Sequence, residues 1–551
     1  NLFYGTGIPA CIIFIAKEDA QNRKSIFMID ASQGFIKDGN KNRLREQDIR
    51  KITDVFKSQT VIDGYSKVVS IESIVKNEYN LNIPRYIDGQ EKKDIQDINA
   101  HLKGGIPNVD IDDLKKYWSV FPTLKADLYA AERQGYSCLQ IPFDQINTYI
   151  YEHKEFVSFM TEMDTLFDMW ERETDKYLKA LGIACHPKKV IAEISEKILN
   201  SYYNKPLIDN YDVYQHLLSY WNEVMQDDIY IISYDGWKAE TYRVLQENSK
   251  KKSVDKGWTC DLIPKELVIN RFFKAERAEI ENHKNDLETC VSQYQELEAE
   301  HGAEEAALYE VSKKTDAVAN LDEFTDLALS KYFPELHKEL NELSDNLEEQ
   351  TNLLIEQSRN AVFDGLKNAK GIVTKNNVQK AYKGMDEDAE NTKILKSWLD
   401  ANDLITAIKK EAKALSASIE QSIQSKIKED KTLEYIYELT IINQYIELRD
   451  AESELKKQIK EKEQELDDTL YSKYPELTEE EIKLLVVNDK WLTTINNAIS
   501  GEIDQISQLL TNRIKELSER YDTTLPEINK LVEDLESTVN SHLKKMGFSW
   551  N

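Results

Sequence analysis

Gly5-Thr6-Gly7-Ile8-Pro9-Ala10 has the spacing of a dinucleotide-binding fingerprint, GxGxxG/A. Such a loop works by following a strand and opening a helix, so that backbone N–H groups meet a phosphate. Here the run precedes an apolar, strand-like stretch and contains Pro9, so it reads as a turn and not as a nucleotide cradle. Cys185 and His186 are adjacent rather than spaced as metal ligands, and no HExxH or Cys/His cluster accompanies them. They read as a buried thiol and a helix-capping histidine. There is no GxSxG for a serine nucleophile and no Walker A loop for an ATPase. The abundant carboxylates fall on helical patterns, where solvated faces are the ordinary outcome.

The elements around these residues change character along the chain. Ala10 to Ile15 and Ser25 to Asp30 are short β-forming runs and read as buried strands joined by a polar hairpin, Lys17 to Lys24. A helix fits Lys41 to Phe56. Val68-Val69-Ser70 and Tyr79 to Tyr86 complete the region, with Pro84 holding Ile83 extended. Two strands and one helix do not close a domain. After Gly104-Gly105-Ile106-Pro107 the period becomes 3.6. Helices are expected over Asp144–Leu181, Lys188–Tyr203 and Asp212–Met225, then an isolated strand-like patch, Ile229–Tyr234, then a helix from Pro264 towards Glu300. Leu415, Ile419, Ile423 and Ile427 repeat every four residues. Thr478 and Glu481 form a capping box with Leu477 and Ile482 as its staple. Ile503, Ile506, Leu510, Ile514, Leu517 and Tyr521 step by three and four, and Ile528, Leu531 and Leu535 continue after Pro526. The expected architecture is mostly α: an α/β Rossmann-like remnant over residues 1–103, a mainly helical middle over 104–261, and a helical or coiled-coil region over 262–551.

Composition supports the helices. The 551 residues include only 18 Gly and 11 Pro, well below ordinary usage. Charge constrains partners. The net charge is −28 and the pI about 4.9, which disfavours a broad nucleic-acid surface. Residues 1–103 carry +2, so the remainder carries −30. No apolar run approaches a membrane span, and five scattered cysteines without a framework read as reduced thiols of a cytoplasmic protein.

The segment Asn1-Leu2-Phe3-Tyr4-Gly5-Thr6-Gly7-Ile8-Pro9-Ala10-Cys11-Ile12-Ile13-Phe14 resembles a late part of the catalytic domain of the modification (M) subunit of type I restriction–modification systems. Phe27-Met28-Ile29-Asp30-Ala31-Ser32, Asn42-Arg43-Leu44-Arg45 through Asp48-Ile49, and Tyr79-Asn80-Leu81-Asn82-Ile83-Pro84-Arg85-Tyr86 are similar to the family's next strand, next helix start and late signature. Val486-Val487-Asn488-Asp489-Lys490-Trp491-Leu492 and Leu543-Lys544-Lys545-Met546-Gly547-Phe548 resemble the family's C-terminal motifs. The resemblance implies an S-adenosylmethionine-dependent adenine-N6 DNA methyltransferase. It also implies assembly with a specificity (S) subunit, a restriction (R) subunit and DNA. The family's Asn-Pro-Pro-aromatic motif is absent: the eleven Pro are preceded by Ile, Phe, His, Lys, Tyr or Leu. Its Gly-rich cofactor loop is absent too. The expectation is therefore the C-terminal portion of such a subunit, beginning after the catalytic motif, with no catalytic, cofactor-binding or metal residue and no methylation by itself. The resemblance places Phe3, or Tyr4, where an aromatic stacks on a flipped-out adenine. Asn82 and Arg85 would support or brace the site. Ile503, Ile506, Leu510, Ile514, Leu517 and Tyr521, with Ile528 to Leu535, are the candidate partner interface. A non-enzymatic coiled-coil scaffold is the alternative.

Overall fold

Long stretches without Gly or Pro fold as helices. The computed structural model describes residues 10–39, 41–89, 95–247, 253–304, 306–368, 370–383, 390–430 and 432–548. Among these the chain is mostly α, with a few two- and three-stranded antiparallel sheets. It divides into two compact units, residues 1–271 with 470–551, and residues 272–469.

In the first unit, strand Ser25–Ile29 pairs antiparallel with Ser66–Ser70, setting Ile26 opposite Val69 and Met28 opposite Lys67. Met28, Val69, Ile74, Tyr86 and Ile87 pack into a small core beneath them. The other expected strand does not form. Residues 10–17 have no regular structure, and Ile12, Ile13, Phe14 and Ile15 are 71–82% exposed. An apolar run needs a neighbour's ladder of donors and acceptors to become a strand, and this one touches a side chain instead: the Phe14 ring lies 4.9 Å from Phe56. The hairpin is likewise replaced by a 3-10 turn, Ala20–Asn22.

The helix expected from Lys41 begins at Glu46 and runs to Ser58, because Lys41–Arg43 pairs as a strand with Ile36–Asp38. Ile83 opens a 3-10 turn, Ile83–Arg85, instead of staying extended. Its carbonyl collects the N–H groups of Tyr86 at 2.9 Å and Ile87 at 3.0 Å, which offsets the pre-proline restriction.

The long helix over 144–181 is split into Ile146–Glu152 and Lys154–Lys179. The break is buried His153, extended at φ −65°, ψ 135°, whose Nδ1 accepts from the Glu155 N–H at 3.3 Å. The β-rich patch Ile229–Tyr234 is helical, within Gln226–Asp235. Ile229 and Ile232, three apart, are buried while Tyr230 and Tyr234 are exposed, so packing at helical spacing overrides β-propensity. His186 occupies the N-cap of helix Pro187–Ser201 but its side chain makes no cap bond.

Helix Thr493–Asp522 is central to this unit. Its stripe buries Ile495, Ile499, Ile503, Ile506, Leu510, Ile514, Leu517 and Tyr521 against the Ile146–Glu152 and Asn210–Tyr220 helices. Each such side chain contributes about 1.5–3 kcal/mol of transfer free energy, as an upper bound.

The second unit consists chiefly of helices Lys274–His301, Lys314–Tyr332, Pro334–Gln357, Glu390–Glu429 and most of Glu434–Lys473. Pro334–Gln357 lies along Glu390–Glu429. The four-residue repeat of Leu415, Ile419 and Ile423 forms a core with Leu329, Ile436 and Leu439. A second core joins Tyr294 and Leu297 to Ile442 and Tyr445.

The expected capping box is present: Thr478 Oγ1 accepts from the Glu481 N–H at 3.3 Å, and the Glu481 carboxylate accepts from the Thr478 N–H at 2.8 Å. The short helix it starts runs into a π-helical stretch, Leu484–Leu492. There Lys490 is buried with its ammonium 2.8 Å from Asp228 Oδ1, 2.7 Å from Oδ2 and 2.8 Å from the Leu262 carbonyl. The Trp491 indole donates to Asp228 Oδ2 at 2.7 Å. Burial pushes the Asp228 carboxyl up, and the Lys490 charge and these hydrogen bonds pull it back. Removing one member leaves the other charged and desolvated. We therefore expect Asp228→Leu to cost about 3–5 kcal/mol in urea unfolding, and Asp228→Leu with Lys490→Met to recover most of that loss. A single variant within about 0.5 kcal/mol of the parent would show that the pair bears no structural weight.

Candidate functional site

The strand pair and helix Glu46–Ser58 are held by polar contacts that start at the helix's own first turn. Asp48 accepts there from the Arg45 N–H at 2.8 Å and forms a two-pronged ion pair with its guanidinium, both contacts at 3.0 Å. Gly34 makes room for it: a Cβ there would lie 2.8 Å from Asp48 Oδ1. The helix is then fixed to Asn210–Tyr220. Buried Gln47 donates from Nε2 to Asp212 Oδ1 at 2.6 Å, and its N–H donates to Gln215 Oε1 at 3.0 Å. Lys51 reaches Asp209 at 2.9 Å and sits 5.3 and 5.4 Å from the ring centres of Tyr65 and Tyr211. Arg50 joins Asp54 and Glu196, each at 2.7 Å.

Electrostatics identify this cluster as a brace. Burial, then the charges of Asp48, Asp209 and Asp30, push the Tyr65 phenol up to about 12, so it stays protonated and cannot serve as a base at neutral pH. The Asp212 carboxyl is raised, chiefly by burial and then by Asp209 and Glu502, while Gln47 and Arg45 oppose the shift. The bases and cations here are engaged with one another. No group of three or more His, Cys, Asp or Glu among the described residues could hold a metal ion.

The concavity over this helix is an open groove of about 370 Å3, lined by Glu46, Ile49, Arg50, Thr53, Asp54, Lys57, Glu196 and Tyr214. No glycine borders it and its guanidinium is already held by two carboxylates. That lining does not fit a nucleoside cofactor, which needs free backbone donors and an apolar slot.

The residues expected from the sequence fall in three places. Phe3 and Tyr4 lie outside the described residues. Asn82 and Arg85 are exposed on either side of Ile83-Pro84. The turn that carries them is held by the Tyr86 hydroxyl, which donates to the Asn80 carbonyl at 2.5 Å, and by Lys67 Nζ, which donates to the Tyr86 carbonyl at 3.0 Å. Ile503, Ile506, Leu510, Ile514, Leu517 and Tyr521 are 0–8% exposed, taken up by the chain's own core. Tyr521 even donates to Asp110 Oδ2 at 2.9 Å while accepting from the Asp97 N–H at 3.2 Å. Their continuation, Ile528, Leu531 and Leu535, is exposed. Sequence reasoning missed Gln47, Lys51, Asp209 and Asp212, whose partners are more than 150 residues apart. It also missed the buried ion pair of Lys490 and the indole contact of Trp491, because the Val486–Leu492 motif does not name Asp228. No helix among the described residues is long and apolar enough to cross a membrane.

Residues 1–95 match the N-6 DNA Methylase family model. The chain is similar to methylase subunits of type I restriction enzymes. It is 38% identical over 107 residues to the MjaVII methylase subunit of Methanocaldococcus jannaschii, covering 19% of this chain and 18% of that one. It is 33% identical over 100 residues to the MpnII methylase subunit of Mycoplasma pneumoniae, covering 18% of each. It is 34% identical over 118 residues to the HindI methylase subunit of Haemophilus influenzae, covering 19% of this chain and 26% of that one. The chain thus spans about a fifth to a quarter of the length of the relatives it matches. No solved structure is a significant match.

The raised Asp212 carboxyl gives the brace a pH signature. Its folded form holds a proton more tightly than the unfolded chain does, so its contribution to stability falls as pH rises from below about 3.9 through the raised value. Asn at this position can still accept from Gln47. We expect the stability of Asp212→Asn relative to the parent to increase between about pH 3 and pH 7. A difference that stays constant over that range would mean that Asp212 is not perturbed.

Proposed function

We propose, from the premise that residues 1–95 are an N-6 DNA methylase segment, that this chain is part of the modification subunit of a type I restriction–modification system. The reading rests on one observation: the family match covers the same N-terminal residues in which the quoted motifs occur in order. In this assignment the complete subunit methylates adenine N6 in DNA, with S-adenosylmethionine as methyl donor, beside specificity and restriction subunits. The described residues form no pocket for that donor, so the contribution of this chain lies elsewhere.

That contribution is to the target base and to assembly. An extrahelical adenine must be unstacked, and an aromatic face at Phe3, or at Tyr4, returns part of the cost. Asn82 and Arg85, exposed on a turn pinned by Tyr86 and Lys67, brace the segment's outer edge. The charge distribution fits this division. Residues 1–103 are nearly neutral while the rest carries −30, so DNA would meet the N-terminal segment and a partner would supply most of the positive surface.

The sequence contains no Asn-Pro-Pro-aromatic motif and no Gly-rich cofactor loop. We therefore expect no methyl transfer when this chain alone is incubated with labelled S-adenosylmethionine and DNA carrying the system's recognition site. Label appearing on that DNA would refute the assignment of the chemistry to other residues. In a longer subunit that carries both motifs, Phe3→Ala should lower turnover about tenfold to a hundredfold, the equivalent of one lost base stack. The KM for S-adenosylmethionine should be unchanged. A parent-like turnover would assign Phe3 to packing.

A further inference from the structure

The helix Leu525–Lys545 differs from every other long helix of its unit: it has no buried residue. It starts cleanly, with Thr524 accepting from the Glu527 N–H at 3.4 Å and Glu527 accepting from the Thr524 N–H at 2.9 Å. Yet only its beginning touches the rest of the unit, near residues 98–104. A helix of this length without tertiary packing is marginal in water.

Its sequence is nevertheless built for packing. Leu525, Ile528, Val532, Leu535, Val539, His542 and Met546 recur at steps of 3, 4, 3, 4, 3 and 4, the seam of a two-helix coiled coil. The six apolar members are 42–71% exposed. The preceding helix buries the same kind of stripe in the core, so the contrast is one of location and not of pattern.

The charges say what covers the seam. The first half carries Glu527, Glu533, Asp534 and Glu536 against Lys530 alone. The second half, residues 537–548, carries Lys544 and Lys545 with no carboxylate. A second copy laid antiparallel sets each acidic half against a basic half and opposes the two helix dipoles. A parallel copy sets like against like. We propose that helix Leu525–Lys545 is a self-association element that pairs antiparallel with the same helix of a second copy of this chain.

The test uses the full chain, with mass measured by light scattering across a range of micromolar concentrations. The expected species is a dimer of twice 64.0 kDa. Leu535→Glu with Val539→Glu should reduce it to a monomer while the thermal melt and circular dichroism of the body are preserved, because these side chains support no core. Lys544→Glu with Lys545→Glu should weaken the dimer, and adding Glu533→Lys and Glu536→Lys to the same chain should restore it. A monomer at every concentration overturns the proposal, including the case in which the seam is covered only when a foreign helical partner is added. A dimer that survives the Leu535/Val539 change overturns it as well, by placing the contact elsewhere. A dimer indifferent to the lysine reversal overturns the antiparallel arrangement.

Discussion

A lysine ammonium with almost no access to water, held between both oxygens of Asp228 and the Leu262 carbonyl, is the constraint on which the first unit depends. Lys490 belongs to the returning stretch of the chain and Asp228 and Leu262 to the earlier one, so the pair is also a long-range crosslink. Around it, the Tyr220 hydroxyl donates to the Lys490 carbonyl at 3.2 Å and the Arg271 guanidinium grips Asp489 through two contacts of 2.7 Å. A buried ion pair adds little net stability over apolar isosteres, but it tolerates few alternatives in register. That is what a π-helical stretch needs, since its looser hydrogen-bond ladder does not fix its own phase.

Packing extends outward from this anchor. Helix Thr493–Asp522 leaves the π-helical stretch with its apolar stripe already aimed inward, against the Asn210–Tyr220 helix. That helix in turn receives Gln47 and Lys51 from the methylase segment, through Asp212 and Asp209. The N-terminal strand pair has a core of only a handful of side chains. Its position is set more by polar contacts made on the helical scaffold than by its own interior.

Much of this was legible in the sequence. The helical class followed from scarce Gly and Pro, and the strand at Ser25 and the cap at Thr478 followed from local chemistry. The methylase segment was recognisable from ordered motifs. Reading failed where tertiary context decided. Ile229–Tyr234 looked like a strand because its residues are β-formers, yet the burial of Ile229 and Ile232 made it helical. Ala10–Ile15 looked like a buried strand because apolar runs usually are, but pairing depends on a neighbour that local sequence does not name. The Thr493–Asp522 stripe was legible as a stripe, whereas its cover, intramolecular or not, was not encoded in its period. Asp228 and Lys490 are single charged residues far apart, and no spacing rule joins them.

The chain leaves the first unit after Arg271 and does not return until Leu470. During synthesis, at about 5–20 residues per second, that interval lasts on the order of 10–40 s. Throughout it, Asp228 has no counter-charge, and the apolar face of helix Asn210–Tyr220 lacks the covering helix that comes last. The second unit can fold in the meantime from its own contiguous residues. The first is therefore the slower and more exposed of the two, and its dependence on a late-arriving lysine makes it the part of the molecule that most needs shielding while it is being made.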